Sequence, residues 1–146
     1  MRPRSVGLAL LAVAVLTGCG SVSASVIDLR HDAGLICRHT NRAFGPLPAL
    51  PKQGQAAAFL SAGIERLKRQ LTKLRRVGPP HDVADVYQAA LAAMGQEIDV
   101  LQSAVQAIHR GQDPALAFKA LRQQLTPLQS QADNAWQALE IPACLQ

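Results

Sequence analysis

The chain has 146 residues, of which 49% are hydrophobic but only 3% are aromatic. Its formal net charge is +5, and loss of an N-terminal leader with two arginines would reduce this to +3, which is too small to indicate nucleic-acid binding. A core built from Ala, Leu, Val and Ile suits closely packed helices, and the length fits a single domain.

The first residues have the layout of a secretion signal. Arg2 and Arg4 precede an uncharged run from Val6 to Leu16, which is shorter than the roughly 17–25 residues of a transmembrane helix. The run ends at Leu16-Thr17-Gly18-Cys19. A large apolar residue, two small residues and a cysteine in this order resemble the lipobox of bacterial lipoproteins.

The resemblance implies cleavage between Gly18 and Cys19, which makes residues 1–18 a signal peptide. It also implies a thioether from the Cys19 sulfur to diacylglycerol, and it leaves the new amino group open to acylation, for example by palmitate. Two or more acyl chains anchor a protein stably in a membrane, whereas one chain binds only marginally. The resemblance therefore implies an extracytoplasmic domain, anchored to the cell membrane by lipid. The alternative is an N-terminal membrane anchor or buried helix that remains on the chain.

Residues 19–25 are small and polar and predict a flexible tether, and residues 26–146 form the domain. Apolar residues at spacings of three and four predict four helices, from Val26 to Phe44, about Gln55 to Arg76, Asp82 to Gly111, and Asp113 to just before Pro142. The class is therefore all-α, and mostly short connections favour an up-down-up-down four-helix bundle.

Local signals place the helix ends. Asp82 is expected to cap the third helix, and Gly111 to end it. Asp113-Pro114 is the clearest helix start in the chain. Pro127 is expected to kink the fourth helix without breaking it, because the apolar stripe keeps its phase across the proline. Pro142 is expected to stop that helix.

Cys37 and Cys144 remain once Cys19 carries the lipid, and an even pair outside the cytoplasm favours a disulfide. Helices 1 and 4 should be antiparallel neighbours, and Cys37 lies roughly 16 Å into helix 1. The five residues from Glu140 to Cys144 can span about that distance. The tail is therefore expected to fold back along helix 1 and to bond Cys37. The alternatives are two free thiols or a bond between chains.

The sequence offers few groups for chemistry. Its four histidines, His31, His39, His81 and His109, do not converge as metal ligands must, so we predict no metal and no cofactor. Neither Glu-x-x-His nor Cys-x-x-Cys-His occurs, which argues against a di-iron site and covalent haem. Met94 falls on the apolar stripe of helix 3 and is expected to pack in the core. Tyr87 and Trp136 are expected to fill the core, with their polar tips at its edge.

One surface feature of helix 2 is a candidate site for an anionic lipid or cell-wall polymer. Its members are basic, and most are spaced to face outward together: Arg66, Lys68, Arg69, Lys73, Arg75 and Arg76. Each basic residue near a charged membrane contributes about 1 kcal/mol of attraction. The alternative is a solvated helix face without function.

A weaker resemblance covers the mature chain. Cys37 on the first helix, Pro79-Pro80 before the third, Gly111-Gln112-Asp113 before the fourth and the late Cys144 are similar to a pattern in small, uncharacterised helical lipoproteins of high-GC bacteria. These residues are structural, so the resemblance implies a fold and no activity.

We therefore expect a lipid-anchored helical bundle at the cell envelope that acts as a binding or scaffolding module and is not an enzyme. The reason is a strong lipobox in a sequence without converging polar groups. The alternative is a bundle that binds a small molecule or a metal in a pocket between its helices, and an enzyme comes third. The expected partners are the membrane, through Cys19, and an anionic lipid or polymer, with no nucleic acid.

Overall fold

The computed structural model describes residues 25–44 and 53–145. The lipobox and the proline-rich connection between the first two helices lie outside these ranges. The described residues form helices and no strands, which confirms the all-α class. The four long helices are α1 (Val26–Phe44), α2 (Ala56–Leu74), α3 (Ala84–His109) and α4 (Pro114–Ala138). Three short 3-10 turns accompany them, Gln53–Gln55, His81–Val83 and Pro142–Cys144.

Consecutive helices run in opposite directions. Between α1 and α2, Gln70 Nε2 lies 3.3 Å from Cys37 Sγ, and Arg66 Nη2 lies 3.5 Å from Asn41 Oδ1. Residues nearer the end of α1 therefore contact residues nearer the start of α2, which makes the two helices antiparallel. Short connections join α2 to α3 and α3 to α4, and the most extensive helix contacts are between these consecutive pairs.

The turn between α3 and α4 begins at Gly111, as predicted. Its φ is 92°, in the left-handed region where a side chain is strained. The Gly111 N–H donates to the carbonyl of Ile108, and the Gln112 N–H donates to that of Ala107, both at 3.0 Å. These two bonds satisfy two of the last carbonyls of α3.

The predicted cap at Asp113 is confirmed, whereas the predicted cap at Asp82 is wrong. The Asp113 carboxylate accepts the N–H groups of Ala115 and Leu116 at 2.9 and 3.2 Å. At α3, the carbonyl of Pro80 accepts the Val83 N–H and closes a tight turn first. The α-helix therefore begins after Val83, which makes no side-chain cap bond.

Helix α4 continues across Pro127, so the prediction that the proline would not break it is confirmed. The helix ends at Ala138, earlier than the stop predicted at Pro142. Glu140 causes this end, because its φ of 57° turns the chain into the left-handed region. The Ile141 N–H then donates to the Trp136 carbonyl at 2.9 Å, which closes the helix end.

The neighbours of α1 differ in part from the prediction. Helix α1 packs on α2 and on the C-terminal tail, residues 139–145, rather than along α4. Arg30 Nε donates to the Leu139 carbonyl at 2.9 Å, and Asn41 Nδ2 donates to the Ala143 carbonyl at 3.3 Å. The tail thus folds back along α1, as expected, and takes the place that α4 was expected to fill.

The core holds Tyr87 and Trp136 more deeply than predicted. Both side chains are fully buried, and their rings meet edge to face with centroids 5.8 Å apart. The Tyr87 hydroxyl donates to the Leu74 carbonyl at 2.8 Å. Trp136 Nε1 is buried without a hydrogen-bond partner among the described residues. Their polar tips therefore lie inside the core and not at its edge.

Candidate functional site

A cavity of about 610 Å³ lies between α2, α3, α4 and the C-terminal tail. The tail contributes Cys144 and Leu145 to its lining, and α1 contributes Asn41. Ligand pockets of small molecules have this size and lie between the helices of bundles. The wall is mainly apolar and includes Leu60, Leu67, Met94, Leu101, Leu121 and Leu125.

The inner wall carries polar side chains among these apolar ones. Glu97 is only 2% exposed and Gln70 only 8% exposed, although both lie on helix faces that are otherwise apolar. Gln70 Nε2 donates to Cys37 Sγ at 3.3 Å, and Glu97 and Gln129 also have interaction partners in the protein. A charge that is removed from water is costly unless it is paired. Glu97 is a buried acidic side chain that is held by a partner within the protein.

Arg66 lies at the more exposed part of the cavity. Its side chain is half-buried, and its guanidinium donates to Oδ1 of the exposed Asn41 at 3.5 Å. Burial lowers the pKa of Arg66 from its ordinary value, because the charged form loses water. The guanidinium nevertheless stays protonated at neutral pH. The cavity lining thus includes a half-buried cation, Arg66, and a fully buried carboxyl group, Glu97.

The disulfide forms part of the cavity wall. The structure joins Cys37 and Cys144, which are 107 residues apart in the chain and have Cα atoms 5.1 Å apart. Cys144 and Leu145 line the cavity from the tail. Cross-linking the tail to α1 therefore also fixes one side of the cavity.

Gly63 opens the wall on α2. It lines the cavity, and a Cβ atom built there would have no atom within 4 Å beyond the adjoining residues and the backbone of its own helix. Glycine in the middle of a helix costs about 0.5–1 kcal/mol relative to alanine. This position therefore gives up helix stability and leaves space beside the cavity.

Sequence reasoning named Met94 as a core residue, Arg66 as part of a basic face and Cys144 as a disulfide partner, but it did not single out Gln70, Glu97 or Gly63. Met94 is buried in the core cluster and lines the cavity as well. Two signals in the sequence could have indicated the cavity. One is a polar residue on an apolar helix face, at Gln70 and Glu97, and the other is a glycine in the middle of α2, at Gly63.

The six basic residues predicted as one face of α2 differ in exposure. Arg69, Lys73, Arg75 and Arg76 are exposed, and nitrogen Nη2 of Arg75 lies 3.9 Å from where a Cβ of Gly95 would stand. Lys68 is half-buried and pairs with Glu65 at 3.3 Å. Arg66 is half-buried, donates to Asn41 and lines the cavity, whereas the exposed members of the predicted face do not line it.

The four histidines are exposed and lie apart from the cavity lining. Within residues 25–44 and 53–145, no three His, Cys, Asp or Glu side chains form a group that could hold a metal ion. In the same ranges, no helix is long and apolar enough to cross a membrane. The lipidation site predicted at Cys19 lies outside the described residues.

Comparison of the chain with protein-family models, with curated proteins and with solved structures gave no match.

Proposed function

We propose that the mature chain is a lipid-anchored, extracytoplasmic up-down-up-down four-helix bundle that binds a small, largely apolar molecule and does not catalyse a reaction. The single observation that carries the binding function is the cavity of about 610 Å³ between α2, α3 and α4. The lipobox and its leader support the location outside the cytoplasm.

The groups that line the cavity favour binding over catalysis. Among the described residues, its ionisable side chains are Arg66 and Glu97, and Cys144 is held in the disulfide. General acid–base catalysis needs a side chain within hydrogen-bond reach of the reacting proton. Glu97 is 2% exposed, so a substrate would meet mainly apolar wall.

The exposed end of α2 supports a second role, attraction to an anionic membrane or cell-wall polymer. Helices α1 and α2 are antiparallel, so Lys73, Arg75 and Arg76 lie at the same end of the bundle as Val26. The tether from Cys19 can span at most roughly 25 Å, which would hold this end near the membrane. Changing these three residues to glutamine should reduce co-sedimentation with anionic vesicles, and unchanged co-sedimentation would rule out this role.

The anchoring proposal is tested by Cys19→Ala. Without the thiol, the thioether to diacylglycerol cannot form, so we expect an unprocessed or soluble precursor in fractionated cells. A Cys19→Ala protein that still fractionates as a processed membrane protein would show that the lipobox interpretation is wrong.

The binding proposal is tested by filling the cavity at Gly63. Wild-type protein should bind a lipophilic fluorescent probe saturably, with a stoichiometry near one. Gly63→Leu places a side chain in open space beside the cavity and should abolish most of this binding without loss of helix stability. Gly95→Leu is the matched control, because Gly95 lies in a helix but does not line the cavity. Equal probe binding by both variants would contradict the proposal.

A further inference from the structure

The cavity has an uneven distribution of charge, which identifies the kind of ligand it suits. We infer that the ligand is a single-chain anionic amphiphile, whose apolar chain lies between α2, α3 and α4 and whose carboxylate or phosphate lies against Arg66. This inference rests on the proposed binding function and specifies the chemistry of the ligand at the same site.

The shape of the cavity suits a chain more than a compact molecule. Its wall on α2 extends from Phe59 to Gln70, which is roughly 16 Å at the rise of an α-helix. Leucine side chains from three helices face this length. An extended apolar chain would bury its surface along the whole wall, and each buried methylene group makes the binding free energy more favourable.

The position of Arg66 indicates where the head group lies. Arg66 is half-buried beside the exposed Asn41, so a polar group placed there can keep contact with water. A guanidinium presents several N–H donors in a planar fork that matches the oxygens of carboxylate and phosphate. Because Arg66 is partly removed from water, an anion beside it is attracted more strongly than it would be on an open surface.

Charges outside the cavity act in the same direction. Arg69 and Lys73 are exposed on α2, three and seven residues beyond Arg66, and therefore lie on the same side of the helix. Like-signed charges near the entrance of a cleft raise the local concentration of an oppositely charged ligand and its rate of association. An anionic ligand would be drawn to the opening, whereas a cationic one would be repelled.

Glu97 does not favour a cationic head group. It lines the cavity but is 2% exposed, so an ammonium group would have to leave water to reach it. Removing such a charge from water is costly. The inner part of the cavity is therefore better suited to the end of an apolar chain.

The test compares ligands that share one chain and differ in the head group. Dodecanoate, dodecyl phosphate, dodecanol and dodecylammonium would each compete with the fluorescent probe, below the concentrations at which they form micelles. We expect the two anions to bind about ten-fold or more tightly than the alcohol, because charge-assisted hydrogen bonds are the stronger ones. Comparison of the two anions also distinguishes two kinds of natural ligand, since dodecanoate resembles a free fatty acid and dodecyl phosphate resembles a phosphorylated lipid.

Arg66→Gln should remove the preference for anions and leave the affinity for dodecanol within about two-fold, since the alcohol depends on the apolar wall. Arg122→Gln is the control, because Arg122 is an exposed arginine on α4 that lies outside the cavity lining. It should keep the preference. If Arg66→Gln fails to fold, the head-group series on wild-type protein still decides.

Equal binding of the anions and dodecanol by wild-type protein would overturn the inference and leave the proposed binding function intact. If dodecylammonium bound most tightly and Glu97→Gln abolished that binding, the ligand would be a cationic amphiphile and the inference would be overturned. Probe binding that none of the four compounds can displace would also overturn it. Absence of any binding, including that of the probe, would reject the proposed function itself.

Discussion

Tyr87 links the packing of the core to the pH dependence of stability. Its side chain is fully buried, and burial raises the pKa of its hydroxyl to about 12. The folded protein thus favours the neutral phenol more than the unfolded chain does, where the ordinary value is 10.0. Its contribution is fully present below pH 10 and should be lost as the pH rises toward 12.

Two properties of the chain make this prediction direct to measure. Tyr87 is the sole tyrosine and Trp136 the sole tryptophan. Phenolate absorbance therefore follows Tyr87, and tryptophan fluorescence follows unfolding of the core. Tyr87→Phe should flatten the alkaline loss of stability, at a cost near neutral pH of about 0.5–1.5 kcal/mol for the lost hydrogen bond. Ionisation of folded Tyr87 near pH 10, without loss of stability, would contradict this account.

The turn at Gly111 gives a prediction for the α3–α4 connection. Because the φ of Gly111 is 92°, alanine there should lower the free energy of unfolding by about 1–2 kcal/mol. Gly78→Ala is the control, since Gly78 has no positive φ and no atom within 4 Å of an added Cβ. Chemical denaturation of both variants measures the difference. Equal stabilities would show that the turn does not depend on the glycine.

Single helices could be predicted well from the sequence, because their signals are local. The cap at Asp113 and the turn at Gly111 depend on residues that are adjacent in the chain. The end of α4 could not be predicted, since a left-handed Glu140 has no sequence signature comparable to glycine. Asp82 failed as a cap because the bond from Val83 to Pro80 takes precedence, and residue type alone does not show this.

The arrangement of the helices could be predicted only in part. An apolar stripe shows which face of a helix is buried, but not which neighbour covers it. The tail was therefore correctly expected to lie along α1, whereas its replacement of α4 as a neighbour was not foreseen. The cavity lies between α2, α3, α4 and this tail. Gln70 and Glu97 mark it in the sequence only as interruptions of apolar faces.

The disulfide acts on the whole molecule. Cys37→Ser and Cys144→Ser should lower the melting temperature by similar amounts, and the double variant should cost little more, because each change removes the same link. Closing a loop of this length contributes up to about 4–5 kcal/mol. Since Cys144 lines the cavity, these variants should also bind the probe more weakly.

A thiol assay on denatured, non-reduced protein from the cell envelope provides the control for the disulfide prediction. We expect no titratable thiol from Cys37 and Cys144. Two titratable thiols would rule out the bond, and a dimer seen only without reductant would place it between chains. Loss of stability with unchanged probe binding would show that the disulfide does not shape the cavity.

Native mass spectrometry of the protein, purified from its own cells, tests the proposed binding function most directly. Wild-type protein should carry one non-covalent small molecule, whose mass disappears under denaturing conditions. Gly63→Leu should lack this mass and Gly95→Leu should keep it, because of the two glycines only Gly63 lines the cavity. A wild-type protein without any bound molecule, or a bound mass that Gly63→Leu retains in full, would contradict the proposal that the cavity is a ligand site.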